Sequence, residues 1–156
     1  MPSRRWGLCS GAVLLLSAYH AGAETLCVST RRANVRQGAG MGQPVTWVAD
    51  QHTPFKVLDW NGEWANVKDV EGDTGWAHES VLYSDRCVAV AGKYANVRSG
   101  PGLEYEVLWE VDRAYPFKVL RMEDGWLQVT DGDEVKGWIW IRLVWGAVQP
   151  EEPGES

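Results

Sequence analysis

Ala95-Asn96-Val97-Arg98-Ser99-Gly100-Pro101-Gly102 is a run of strand-forming residues that breaks into a Gly/Pro turn. It has a twin. Ala33-Asn34-Val35-Arg36 repeats its first half, and Gly38 and Gly40 stand where Gly100 and Gly102 stand. The match continues at one fixed spacing. Val45, Trp47 and Asp50 answer Val107, Trp109 and Asp112, and Pro54-Phe55-Lys56-Val57-Leu58 answers Pro116-Phe117-Lys118-Val119-Leu120. Trp64, Val67, Asp69 and Gly75-Trp76 answer Trp126, Val129, Asp131 and Gly137-Trp138. A gapless match over so many positions is a duplication. Two copies are too few for a stacked solenoid. The expectation is two similar units in tandem, each near the lower size limit for independent folding.

Each copy reads as all-β. Apolar residues do not recur at helical spacing. Short runs rich in Val, Trp, Leu and Phe are cut instead by Gly, Pro, Asn and Asp. In the second copy the expected strands are 87–90, 95–98, 105–111, 116–122, 126–130 and 135–139. Turns are expected at Gly100-Pro101-Gly102, Glu123-Asp124-Gly125 and Asp131-Gly132-Asp133. In the first copy they fall at Asn61-Gly62 and Glu71-Gly72-Asp73. Several short strands with no room for a second layer imply a small, partly closed barrel. Alternation puts Val35 and Val97 inward, and turns Trp64 and Trp126 away from Val67 and Val129.

Before the first copy, Arg4 and Arg5 precede an apolar core around Val13-Leu14-Leu15-Leu16, and Ala21-Gly22-Ala23 is a cleavage signal. Residues 1–23 therefore read as a cleaved signal peptide, too short in its apolar run to span a bilayer. The expected units are 24–83 and 84–147, followed by a disordered acidic, Pro-rich tail over 148–156. The expected location is periplasmic or secreted, with no membrane insertion after cleavage. Loss of Arg4 and Arg5 takes the formal charge from −6 to −8. An acidic surface repels phosphate backbones and anionic lipid alike, which excludes nucleic acid as a partner.

Two cysteines, Cys27 and Cys87, remain beyond Ala23. An even thiol count in an exported chain favours a disulfide between them. Two buried free thiols are the alternative. A metal site is disfavoured because histidines at ligand spacing are lacking.

These patterns resemble the bacterial Src-homology-3 (SH3b) domain family. The resemblance rests on Ala-Asn-Val-Arg-x-Gly-Pro-Gly, then Pro-Phe-Lys-Val-Leu, Trp-x-x-Val and Gly-Trp-Ile, with Leu143-Val144 closing. It covers about residues 26–145. The first copy departs at Ala39, where the family usually has Pro, and over 41–44, where Tyr105 has no counterpart. The resemblance implies a five- to six-stranded barrel, often appended to cell-wall hydrolases, that binds peptidoglycan or its peptide stems.

Catalysis finds little support in the residues. A papain-like centre needs Cys, His and an orienting group. His52 and His78 do not recur in the second copy and read as ordinary surface or turn histidines. Asp69, Asp73, Asp131 and Asp133 sit where turns favour Asp for backbone reasons. No cofactor is implied. Binding fits better, because nine of the ten tryptophans lie beyond residue 23, and Trp offers large, stiff contact area with one polar handle. The Gly-Trp pairs at Trp76 and Trp138 read as packing. Trp60, Trp64, Tyr105, Trp109, Trp126 and Trp140 are the candidate ligand-binding residues. Two functions follow: a non-catalytic module that recognises peptidoglycan or cell-wall peptides, or a scaffold whose barrels bind another envelope protein.

Overall fold

The computed structural model describes residues 24–148; the leader over 1–23 and nearly all of the tail over 148–156 lie outside the described residues. The first unit contains β1 (Thr25–Val28), β2 (Arg32–Arg36), β3 (Val45–Asp50), β4 (Pro54–Asn61), β5 (Trp64–Lys68), β6 (Thr74–His78) and β7 (Leu82–Tyr83). The second contains β8 (Cys87–Val90), β9 (Tyr94–Arg98), β10 (Val107–Asp112), β11 (Pro116–Glu123), β12 (Trp126–Thr130), β13 (Lys136–Trp140) and β14 (Val144–Gly146). The strand orders are β3-β2-β6-β5-β4-β1-β7 and β10-β9-β13-β12-β11-β8-β14, all pairs antiparallel. Adding seven to each strand number of the first sheet gives the second, so the duplication is one of topology as well as sequence.

Each unit closes on its own core. Leu26, Val28, Val35, Phe55, Val57, Ala65, Val67 and Ala77 pack in the first. Val88, Val90, Val97, Phe117, Val119, Leu127, Val129 and Ile139 pack in the second. Phe55 and Phe117 are fully buried, each contributing about 1.5–3 kcal/mol of apolar burial. The recurring Gly-Trp pair has a steric cause. A methyl group on Gly75 would lie 2.5 Å from Val35 Cγ1, and one on Gly137 would lie 2.5 Å from the Arg98 carbonyl oxygen. Only glycine lets β6 and β13 approach β2 and β9 this closely.

Three details differ from the sequence expectation. A seventh strand closes each sheet after a single 3-10 turn, over Glu79–Val81 and Ile141–Leu143. Tyr105 precedes its strand, because the Gly-rich loop extends through it and β10 starts at Val107. The first unit's hairpin turns on Gly62-Glu63, since Asn61 still pairs with Trp64 across the ladder. Gly62 alone takes positive φ there, whereas Asp124 and Gly125 both do in the second unit, the pattern that Asp-Gly hairpins favour.

The two units meet where β4 lies against β8 and β14, beside the outer faces of their first strands. Leu26 and Val28 point into one core and Val88 and Val90 into the other. Cys27, Cys87 and Ala89, on the opposite faces, are nevertheless fully or almost fully buried. The Cys27–Cys87 disulfide lies at this seam, with Cα atoms 6.0 Å apart. The cysteines are not copies of one another: Ala89 holds the place of Cys27, and Thr25 the place of Cys87. Glu71 of the first unit accepts a 2.7 Å ion-paired hydrogen bond from Arg113 of the second. His52 also lies at this junction. It occupies a turn as expected, at φ 69°, but it is buried rather than at the surface.

Candidate binding groove

Arg98, the last residue of the Ala-Asn-Val-Arg run, positions the loop that follows it. Its Nη1 donates to the carbonyl oxygens of Leu103 and Tyr105 at 3.1 and 3.0 Å. Arg36 does the same in the first unit, donating to the Gln43 carbonyl at 2.9 Å. The Tyr105 ring lies flat against Gly100, where a Cβ would come within 2.4 Å of it. The loop is thereby held beside the hairpin of β12 and β13.

Across that hairpin Trp126 and Trp140 are direct ladder partners. Their rings sit 5.3 Å apart at an interplanar angle of 55°. Outward-facing aromatics paired this way gain about 0.5–1.5 kcal/mol beyond their buried area. Trp126 lies outside the core cluster, as strand alternation requires. It is only 8% exposed, because Trp140 covers it. Together they line a groove of about 880 Å³, with Tyr94, Leu103 and Leu143 adding apolar surface and Arg98 and Glu104 adding opposite charges.

The first unit builds the same position differently. Trp64 pairs with His78 across β5 and β6, rings 5.1 Å apart and edge-on. His78 Nε2 is 3.2 Å from Glu63 Oε2, and its Nδ1 is 2.7 Å from Ser80 Oγ. Arg32, Met41 and Val81 replace Tyr94, Leu103 and Leu143. The aromatic groove is thus a feature of the second copy.

The structure brings two of the six candidate residues, Trp126 and Trp140, into one groove. Tyr105 stands behind the groove loop with its ring on Gly100. Trp109 lies on β10, an edge strand, and is 40% exposed. Trp60 and Trp64 belong to the first unit, Trp60 exposed on β4 and Trp64 half-buried against His78. Trp138 is buried beneath the Arg121 guanidinium, 5.1 Å from its ring centre, in line with a packing role. Tyr94 and Leu103 escaped sequence reasoning. Their signal is that neither recurs in the first copy, and Leu103 is 75% exposed.

A family model described as bacterial SH3 domain matches the chain twice, over residues 29–83 and 91–146. The chain belongs to the bacterial SH3 domain family. Among curated proteins it is similar to the Bacillus subtilis (strain 168) protein provisionally named N-acetylmuramoyl-L-alanine amidase YrvJ, at 24% identity over 123 residues, 72% of this chain. The chain spans about a quarter (24%) of that relative's length. Among solved structures, an NlpC/P60 family protein from Bacillus cereus ATCC 10987 aligns with a TM-score of 0.40 and 14% identity, covering 78% of this chain and 56% of that one. NlpC2 from Trichomonas vaginalis aligns with a TM-score of 0.36 and 12% identity, covering 79% and 48%. These structural likenesses are loose, and the two SH3b units are identified by the family match.

Proposed function

We propose that this is a non-catalytic, exported protein whose second SH3b unit binds peptidoglycan or its peptides in the Trp126–Trp140 groove. The observation that carries this reading is the groove itself. Two paired, tilted indoles, an exposed Tyr94 and Leu103, and the charged rim of Arg98 and Glu104 converge on one cavity. Apolar clefts with a few placed polar groups are the usual form of a ligand site. The relative named as an amidase of cell-wall material supports the substrate class. The buried disulfide supports export, since such bonds persist in oxidising compartments.

Co-sedimentation of the full chain with purified sacculi tests the reading. Trp140 is only partly buried, so Trp140→Ala removes one groove wall while the core stays filled. Retention by the wild type, and its loss in Trp140→Ala, is the expected result. No retention of either protein refutes the reading and favours a scaffold that binds an envelope protein. Turnover of muropeptides by the isolated chain would refute the non-catalytic assignment.

A further inference from the structure

A second cavity, of about 750 Å³, opens between the two units, away from the tryptophan groove. Arg31, Asp50 and Gln51 line it from the first unit; Arg113, Tyr115, Asp131 and Asp133 line it from the second. Most of these charges are already answered. Arg113 is held by Glu71 and also donates to the Ala91 carbonyl. Asp50 has Arg32 within 3.9 Å. Asp131 accepts hydrogen bonds from the Asp133 and Val135 amides and, at 2.7 Å, from the Tyr115 hydroxyl.

Among the described residues three of these charges have no ion-pair partner: Arg31 on one wall, and Asp131 and Asp133 on the other. Asp131 is satisfied by its three neutral donors, which leaves Arg31 and Asp133. The duplication explains the second. Asp133 is the copy of Glu71, and Gln51 is the copy of Arg113. Glu71 meets Arg113 across the junction, but the reciprocal pair, Asp133 and Gln51, lacks the cation. Gln51 turns its amide to the Ser29 carbonyl instead. Asp133 thus faces a cavity whose complementary cation is missing. Behind this wall lies His52, with Nε2 3.4 Å from where a Cβ on Gly132 would sit and with Nδ1 unpartnered. The disulfide and the Glu71–Arg113 pair hold the two walls together.

We infer that this inter-unit cleft is a second binding site, for a zwitterionic ligand of the amino-acid or short-peptide class. The ligand's ammonium takes the place of the missing cation at Asp133, beside the Asp131 carboxylate. Its carboxylate meets the Arg31 guanidinium. A carboxylate and a guanidinium sharing one cleft give charge-assisted hydrogen bonds at both ends of such a molecule. The cavity volume falls in the range of small-ligand sites. The site is independent of the tryptophan groove, so failure of either leaves the other standing.

The test is an amide-proton NMR titration of the full chain with triglycine, its N-acetylated form, its C-terminal amide and the doubly blocked peptide. Triglycine is expected to shift the Gln51, Gly132 and Asp133 amides, and the doubly blocked peptide is expected to leave them unmoved. Blocking either end, or making Asp133→Asn or Arg31→Gln, is expected to weaken binding about tenfold. Gln51→Arg supplies the missing cation from within and is expected to abolish the triglycine response while the fold's spectrum is retained. Cleft amides that stay still, that respond equally to the blocked peptide, or that respond unchanged in Gln51→Arg overturn the inference. Shifts confined to the Trp126–Trp140 groove overturn it too.

Discussion

Removing the Cys27–Cys87 bond offers a sharp quantitative test of how the two units are joined. The bond closes a loop of 60 residues, nearly the whole first unit. In the chain-entropy model, releasing a loop of that size returns about 4 kcal/mol of freedom to the unfolded chain. Both sulfurs are fully buried at the seam between β1 and β8. Alanine is the replacement the duplication itself suggests, since Ala89 already fills the place of Cys27. Urea unfolding followed by tryptophan fluorescence, comparing Cys27→Ala/Cys87→Ala with wild type, reads the difference. With an m-value of about 2 kcal/mol/M the midpoint drops by about 2 M. Wild type unfolded in excess reductant should fall by about the same amount, which separates the crosslink from the two lost sulfur atoms. A loss below about 1 kcal/mol in both experiments would refute the reasoning, because the bond would then not constrain the chain across the unit boundary.

Gly137→Ala should destabilise by about 1–3 kcal/mol, the cost of overpacking, because its methyl group meets Val97 Cγ1 at 2.7 Å as well as the Arg98 carbonyl; chemical denaturation measures it. His52 should make stability pH-dependent. Burial, then the Lys118 charge, holds its pKa below 6.5 against the opposing pull of Asp85 and Asp131. The unfolded chain therefore binds this proton more readily, so stability is full above pH 6.5 and falls as pH drops from there through the lowered folded value. His52→Gln should flatten that limb, seen as a smaller fall in Tm between neutral and mildly acidic buffer. Tyr115 acts at the other extreme. Burial and the Asp131 hydrogen bond push its hydroxyl up to about 12, so its contribution is fully present below pH 10 and is lost as pH rises from there through the folded value of about 12. Tyr115→Phe should remove that part of the alkaline loss.

Much of the fold was legible because the sequence states it twice. Ala33-Asn34-Val35-Arg36 and Ala95-Asn96-Val97-Arg98 told which residues of their strands face inward, and the buried Val35 and Val97 confirm it. The closing strands β7 and β14 were not legible, because a 3-10 turn carries the chain into them without the Gly or Pro that marks other turns. Trp126 was correctly turned out of the core. Its near-complete burial depends on Trp140 being its ladder partner, a fact of register between strands that the pattern within one strand does not hold. The link between the units was legible, since two cysteines in an exported chain pointed to the Cys27–Cys87 bond that the structure shows; the burial around it was not. Cys27 and Cys87 fall out of step with the repeat, and His52 looks like any turn histidine until the second unit covers it.

The claim on which the functional account rests is that ligand contacts the Trp126–Trp140 pair. The most direct measurement is the set of indole Nε1–H signals during titration with soluble peptidoglycan fragments. The Trp126 and Trp140 signals are expected to shift together while those of Trp60 and Trp109 stay in place. Shifts at Trp60 or Trp109 with Trp126 and Trp140 unmoved, or no shift at all, would contradict it.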